Sequence, residues 1–296
     1  MWRRLGGFII GLLLIGVAIL VVVRNQDDLH HALDSAKQAP VWMIVLALGL
    51  PLVNAGVVSL SFWVMMRRFG QVPLIDMTSL ICSAWLLNYM PMRPGLMGRL
   101  AFHKLIHHIS LKASVSVSVA LALMSGLAAG HMLLIGSAWA RDQTLGIGVL
   151  VISTVVVYML AGIVADRSPS GSVPRSALRQ ALVFRYLDML VWAARMWVSF
   201  AIIGTPIGPW AAVLIAAAVQ IAYLFPLTGA GLGVVEWAVG FVASLIVVGV
   251  SPESGLAASL VTRAAELLVV IPTGLWGGAI VHRRLRNRKR TRPDAD

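Results

Sequence analysis

The residues with the most chemical potential lie in two interrupted apolar stretches. One is Asn88-Tyr-Met-Pro91-Met-Arg93-Pro-Gly95-Leu-Met-Gly-Arg99; the other is Phe225-Pro226-Leu-Thr-Gly229-Ala-Gly231-Leu-Gly233-Val-Val-Glu236. Each sets Pro and Gly in the middle of a hydrophobic run. Proline removes a backbone donor and glycine adds backbone freedom, so both weaken a regular helix. Inside a bilayer, broken backbone is tolerated only against protein or a watery cavity. One such break in each half of the chain points to a binding site near the membrane midplane.

Ionisable residues within apolar sequence point the same way: Arg93, Asp188, Arg195, Glu236, Arg263 and Glu266, with Arg99 near a rim. A charge at membrane depth costs at least ~2.5–3.5 kcal/mol on insertion scales, so such groups pair or line a water-filled path. Arg93 sits between two prolines, and its planar fork of donors suits a lipid phosphate. The plainer reading is that Arg93 pairs with Glu236 and pins the two breaks together. Glu236 either receives a cation or proton, or serves as counter-ion. Arg263 and Glu266 share a helix face and can neutralise each other, although Arg263 is also deep enough to reach a central cavity. Asp188 and Arg195 lie two turns apart on one face, and Asp188 also has Arg185 within reach.

The glycines 229, 231 and 233 permit a tight turn and leave amides open to an anion. A half-helix starting near Gly233 would aim its positive end there. Close packing through small residues explains them equally well. His103 and His107 share a helical face at a spacing known from zinc sites. With no adjacent Glu or Cys they read as an interfacial basic patch, and no metal or other cofactor is expected. Asn54 and Pro51 read as a kink, and Trp139, Trp192 and Trp237 as interface anchors or packing.

The elements that must hold these residues follow from composition. Apolar residues make up 59% of the 296 and charged residues 12%, with a mean hydropathy of +0.87. Soluble domains carry about 25% charged residues, so the chain reads as an all-α polytopic membrane protein. One membrane domain over 1–282 is expected, with a first half 1–164, a cytoplasmic linker 165–185, a second half 186–281 and a basic tail 283–296. The net charge of +12 gathers at membrane flanks and in the tail, which reads as an anchor to anionic headgroups rather than a nucleic-acid site. The single Cys82 excludes an internal disulfide. The N-terminal apolar run has no small-residue cleavage site and reads as an uncleaved helix.

About six full crossings are long enough to span, near 6–23, 41–66, 113–138, 145–164, 186–204 and 255–281. Outside apolar sequence, Arg24, Lys37 and Arg141 alone fall on one side of these spans; every other Lys and Arg falls on the opposite side. That bias places both termini in the cytoplasm. Segments 76–102 and 209–250 are left over, and each returns to the side it entered from. They read as re-entrant hairpins, the second able to cross fully without changing the topology. Crossing, hairpin, crossing then occurs twice in opposite senses, an inverted repeat.

At its two breaks the chain resembles a flippase-like membrane family that includes the membrane domain of lysylphosphatidylglycerol synthases. The residues carrying the resemblance are Asn88, Pro91, Gly95 and Arg99; then Pro226, Gly229, Gly231 and Gly233 leading into Val234-Val235-Glu236; then Arg263 followed by Pro272. The added Arg93-Pro94 departs from the pattern and marks a possible difference in ligand. The resemblance implies movement of a lipid, a phospholipid or lipid-linked anionic substrate, with the headgroup held between the two breaks by these residues and Arg93. It also implies residence in a bacterial inner membrane. The soluble aminoacyl-transfer domain of bifunctional members is not expected here, nor is enzymatic activity. No nucleotide-binding motif is present, so movement would run downhill or on an ion gradient. Two alternatives stand: a non-catalytic membrane partner for a separate cytoplasmic enzyme, and a lipid-phosphate enzyme, which lacks a His or Cys nucleophile at either break.

Overall fold

The computed structural model describes residues 2–24, 34–90, 94–166, 175–224 and 229–291. Pro91, Arg93 and Pro226 therefore lie outside the described residues. The described chain is helical throughout, with no strand. In order the helices are α1 (Trp2–Arg24), α2 (Val41–Met66), α3 (Leu74–Asn88), α4 (Pro94–Ile106), α5 (Leu111–Arg141), α6 (Gln143–Asp166), α7 (Arg175–Ile202), α8 (Pro209–Leu224), α9 (Val234–Ile246) and α10 (Pro252–Thr291). A 3-10 turn at Gly229–Gly231 precedes α9.

Four helices are long and apolar enough to cross a membrane: α2, α5, α6 and α10. Their outward residues are apolar, as lipid-facing surfaces must be. Ile152, Met159, Leu268 and Leu275 are each more than 60% exposed. By contrast α3, α4, α8 and α9 have 15, 13, 16 and 13 residues. At 1.5 Å per residue these are about 20–24 Å long, short of a ~30 Å hydrocarbon core.

Packing follows a crosswise pattern. Helix α2 packs on α7, α3 on α10, and α8 on α5, while α3 also packs on α4 and α8 on α9. Each short helix pair thus leans on the long helix of the other half. Small residues allow the approach. A Cβ on Gly277 of α10 would come within 2.4 Å of the Ser79 carbonyl on α3, and one on Gly136 of α5 within 2.6 Å of Leu214 on α8. Such contacts let backbones meet where lipid gives no hydrophobic drive to associate.

One expectation needs correction. Residues 175–185 belong to α7, not to a linker. Ala177, Leu178, Ala181 and Leu182 recur at helical spacing and are all buried, and that apolar stripe extends the helix. The basic segment 283–291 is itself helical, because α10 runs on to Thr291 over 40 residues. Arginine is a good helix former, so nothing in Arg283–Arg290 ends the helix.

Candidate functional site

A cavity of about 250 Å³ lies where the C-terminal ends of α3 and α8 meet. From the first half, Asn54, Trp85, Asn88 and Tyr89 line it; from the second, Arg185, Asp188, Trp192, Gln220, Tyr223, Ala230 and Glu266 do. Asn54 is at the centre of the 26-residue α2, so the cavity is at mid-height of a crossing helix. Tyr89 and Ala230 are the described residues flanking the two breaks, and both touch the same space.

Around the cavity runs a buried polar network. The Glu236 carboxylate is fully buried and both its oxygens are used. One accepts from Arg263 Nε at 2.8 Å, and the other from the Gly233 amide at 2.7 Å. Gly233 has a φ of 78°, a conformation that favours glycine. Glu236 therefore reaches back to the start of its own helix, as acidic residues at a third helical position do. The amide expected to face an external anion is filled by the protein's own carboxylate. Arg263 Nη1 donates to Tyr89 Oη at 3.1 Å and to the Ala230 carbonyl at 3.4 Å, tying both hairpins together. Tyr89 Oη in turn donates to Glu266 at 2.6 Å, and Arg195 binds the other Glu266 oxygen at 2.5 Å. Arg263 and Glu266 are 3.6 Å apart, so their pairing is one link in a wider chain. Arg195 also stacks over Trp192, 4.0 Å from the ring centre.

A second group closes the cavity on its α2 and α7 side. Asp188 accepts from Asn54 across the two halves and pairs with Arg185 at 3.3 Å. Arg185 also donates to Ser61 at 3.1 Å and to Ser125 at 3.4 Å. Among the described residues, three arginines (185, 195, 263) thus pair with three acids (188, 236, 266). That arrangement limits the desolvation cost of charges in an apolar medium. Arg185 Nη2 and Arg263 Nη2 are nonetheless buried without a hydrogen-bond partner.

The residues named from sequence divide as follows. Gly229, Gly231, Gly233, Glu236 and Arg263 come together around the second break. Asn88 lines the cavity, and Gly95 packs behind it. A Cβ on Gly95 would meet the Ala84 carbonyl at 2.2 Å and Asn88 Oδ1 at 2.7 Å. Arg99 stands apart, donating to Ser118 at 3.1 Å with its guanidinium 3.9 Å from the Phe62 ring centre. Neither Pro91, Arg93 nor Pro226 is placed.

Sequence reasoning took Asn54 only as part of a kink and passed over Trp85, Tyr89, Gln220 and Tyr223. The available signal was a lone amide within an apolar run, as at Asn54 and Gln220, where an unpartnered carboxamide is costly. It also passed over Asp76. This residue is 3% exposed at the start of α3, and Arg284 of α10 binds it with Nε and Nη2, both at 3.1 Å. His107 Nε2 lies 3.5 Å from the other Asp76 oxygen, and His103 Nδ1 is 3.1 Å from His107 Nδ1. Burial holds His107 below the ordinary histidine range, with Asp76 opposing. Among the described residues no group of His, Cys, Asp and Glu could hold a metal. Comparison of the chain with protein-family models, with curated proteins and with solved structures finds no match.

Proposed function

We propose that the chain moves a lipid across a membrane, with the headgroup passing through the central cavity while the acyl chains stay in the bilayer. The observation carrying this reading is a cavity ringed by buried charges and amides at mid-height of α2, where the ends of two short helix pairs meet. Polar space at that depth is costly, and transporters place their substrate sites there. In the same reading α3–α4 and α8–α9 are re-entrant hairpins, too short to span, and α1 and α7 add two crossings to the four apolar ones. The crosswise packing of α3 on α10 and α8 on α5 supports an inverted repeat. A repeat of that kind alternates access by rocking one half against the other.

Within this proposal Glu236 is the counter-ion of Arg263 rather than a proton carrier, because both its oxygens are engaged away from the open space. Asp188 and Glu266 are the acids that line the cavity. The resemblance to the flippase-like family agrees with a lipid substrate, non-enzymatic transport and an inner-membrane location with cytoplasmic termini.

The test is reconstitution of the full chain in vesicles carrying fluorescent-acyl lipids in both leaflets. Expected is bleaching by external dithionite of lipid that starts in the inner leaflet, faster than in protein-free vesicles. Gln220→Trp, which fills the cavity, should return the rate to background. Equal rates with and without the protein would sink the proposal.

A further inference from the structure

We infer that the cavity takes a hydroxyl-rich headgroup, a glycosyl or glycerol moiety, and holds it through its hydroxyls rather than through a net charge. The inference rests on the transport reading for its placement of the headgroup, and goes beyond it in naming the class.

The acids of the cavity are occupied: Asp188 by Asn54 and Arg185, and Glu266 by Tyr89 and Arg195. Among the described residues, the three arginines and three acids of the surrounding network are engaged with one another. Asn88, Gln220 and Tyr223 line the cavity, and Gln220 and Tyr223 make no side-chain hydrogen bond among the described residues. Two carboxamides and a phenol supply both donors and acceptors. A hydroxyl is the group that can satisfy either kind, since it donates one proton and accepts through two lone pairs. Arg185 Nη2 adds one donor, which a hydroxyl or a phosphate oxygen can meet.

The apolar part of the wall fits the same class. Trp85, Tyr89 and Tyr223 present aromatic surface to the cavity. The C–H faces of a sugar ring or glycerol chain pack on such rings while their hydroxyls reach the amides. A bare phosphate would leave the amides and rings unused, and a buried polar group left unpaired costs about 1–3 kcal/mol.

The experiment is a binding competition read by native mass spectrometry, independent of movement. The purified full chain is incubated with equimolar glucosyl diacylglycerol, phosphatidylglycerol, phosphatidylethanolamine and phosphatidic acid of matched chains. Retention of glucosyl diacylglycerol, phosphatidylglycerol or both over phosphatidic acid and phosphatidylethanolamine is expected, by at least about five-fold. Glucosyl lipid alone identifies the sugar as the source; phosphatidylglycerol alone identifies glycerol with its phosphate on Arg185. Gln220→Leu and Tyr223→Phe should each lower that preference about three- to ten-fold, the worth of one hydrogen bond. Phosphatidic acid or phosphatidylethanolamine retained as well as either polyol lipid overturns the inference, and the wild-type chain decides this even if a variant misfolds. Selective binding without translocation would defeat transport alone, and translocation without selectivity would defeat this inference alone.

Discussion

The two helix hairpins meet at the central cavity and are closed there by different chemistry. The α8–α9 hairpin is locked by charge, with Glu236 held between Arg263 and its own helix start. The α3–α4 hairpin is locked by shape, with Gly95 pressed on the Ala84 carbonyl. The same split runs through the cavity wall. Every charged residue described there comes from the second half, while the first half contributes amides and aromatic rings. One half therefore sets the electrostatics, and the other presents neutral surface that can change contacts without stranding an ion.

The contrast can be broken in several ways, beginning with the largest expected effect. Glu236→Ala leaves Arg263 buried without its 2.8 Å partner, and removing one member of a buried pair costs about 3–5 kcal/mol. Asn88→Ala, in the matching hairpin, should cost less than about 1 kcal/mol, since its Oδ1 has no partner to lose. Comparable losses in thermal unfolding would abolish the distinction. Next, Gly95→Val should cost about 1–3 kcal/mol through overpacking. Gly98→Ala, with nothing within 4 Å of the added Cβ, should fall within about 0.5 kcal/mol of wild type. Coupling between the halves is smaller. A double-mutant cycle of Asn54→Ala and Asp188→Asn should give at least about 0.5 kcal/mol, and additive values would mean the halves are independent there.

Weaker effects belong to the Arg284 end of α10. Arg284 is 48% exposed, so Arg284→Ala should cost less than about 1 kcal/mol, after allowance for solvent. The smallest effect is a pH dependence. His107 binds its proton less readily folded than unfolded, because burial disfavours its charged form. As pH falls through the unfolded histidine value of about 6.5, the unfolded chain takes up the proton first and stability declines. Wild type should therefore lose more in unfolding temperature from pH 7.5 to 5.5 than His107→Gln. An equal loss in both would remove His107 from the account.

Much of the frame was legible because it is written in apolar runs and breaks. The expected span 41–66 coincides with α2, and 113–138 and 145–164 fall within α5 and α6. The missed parts share a cause. Gln220 and Asn54 are single polar residues whose meaning depends on neighbours far apart in the chain; Asn54 meets Asp188 across 134 positions. Pairing between Arg263 and Glu236 likewise joins two helices, whereas the nearer Glu266 on the same face was visible from spacing alone. Residues 175–185 were read as linker because Arg175, Arg179 and Arg185 mask the apolar stripe between them.

Helix α10 spans these two environments without interruption. Arg263 sits in the network around the cavity and Arg284 is clamped to Asp76, 21 residues further on, which is about 32 Å of helix. Pro272 removes one backbone donor between them, and the remaining hydrogen-bonded turns carry a tilt along the axis. Tilting it by a few degrees at the network would swing its distal turns by roughly 2–3 Å, straining the Asp76 clasp. The far end of α10 is in this sense a pointer whose reading follows the state of the interior.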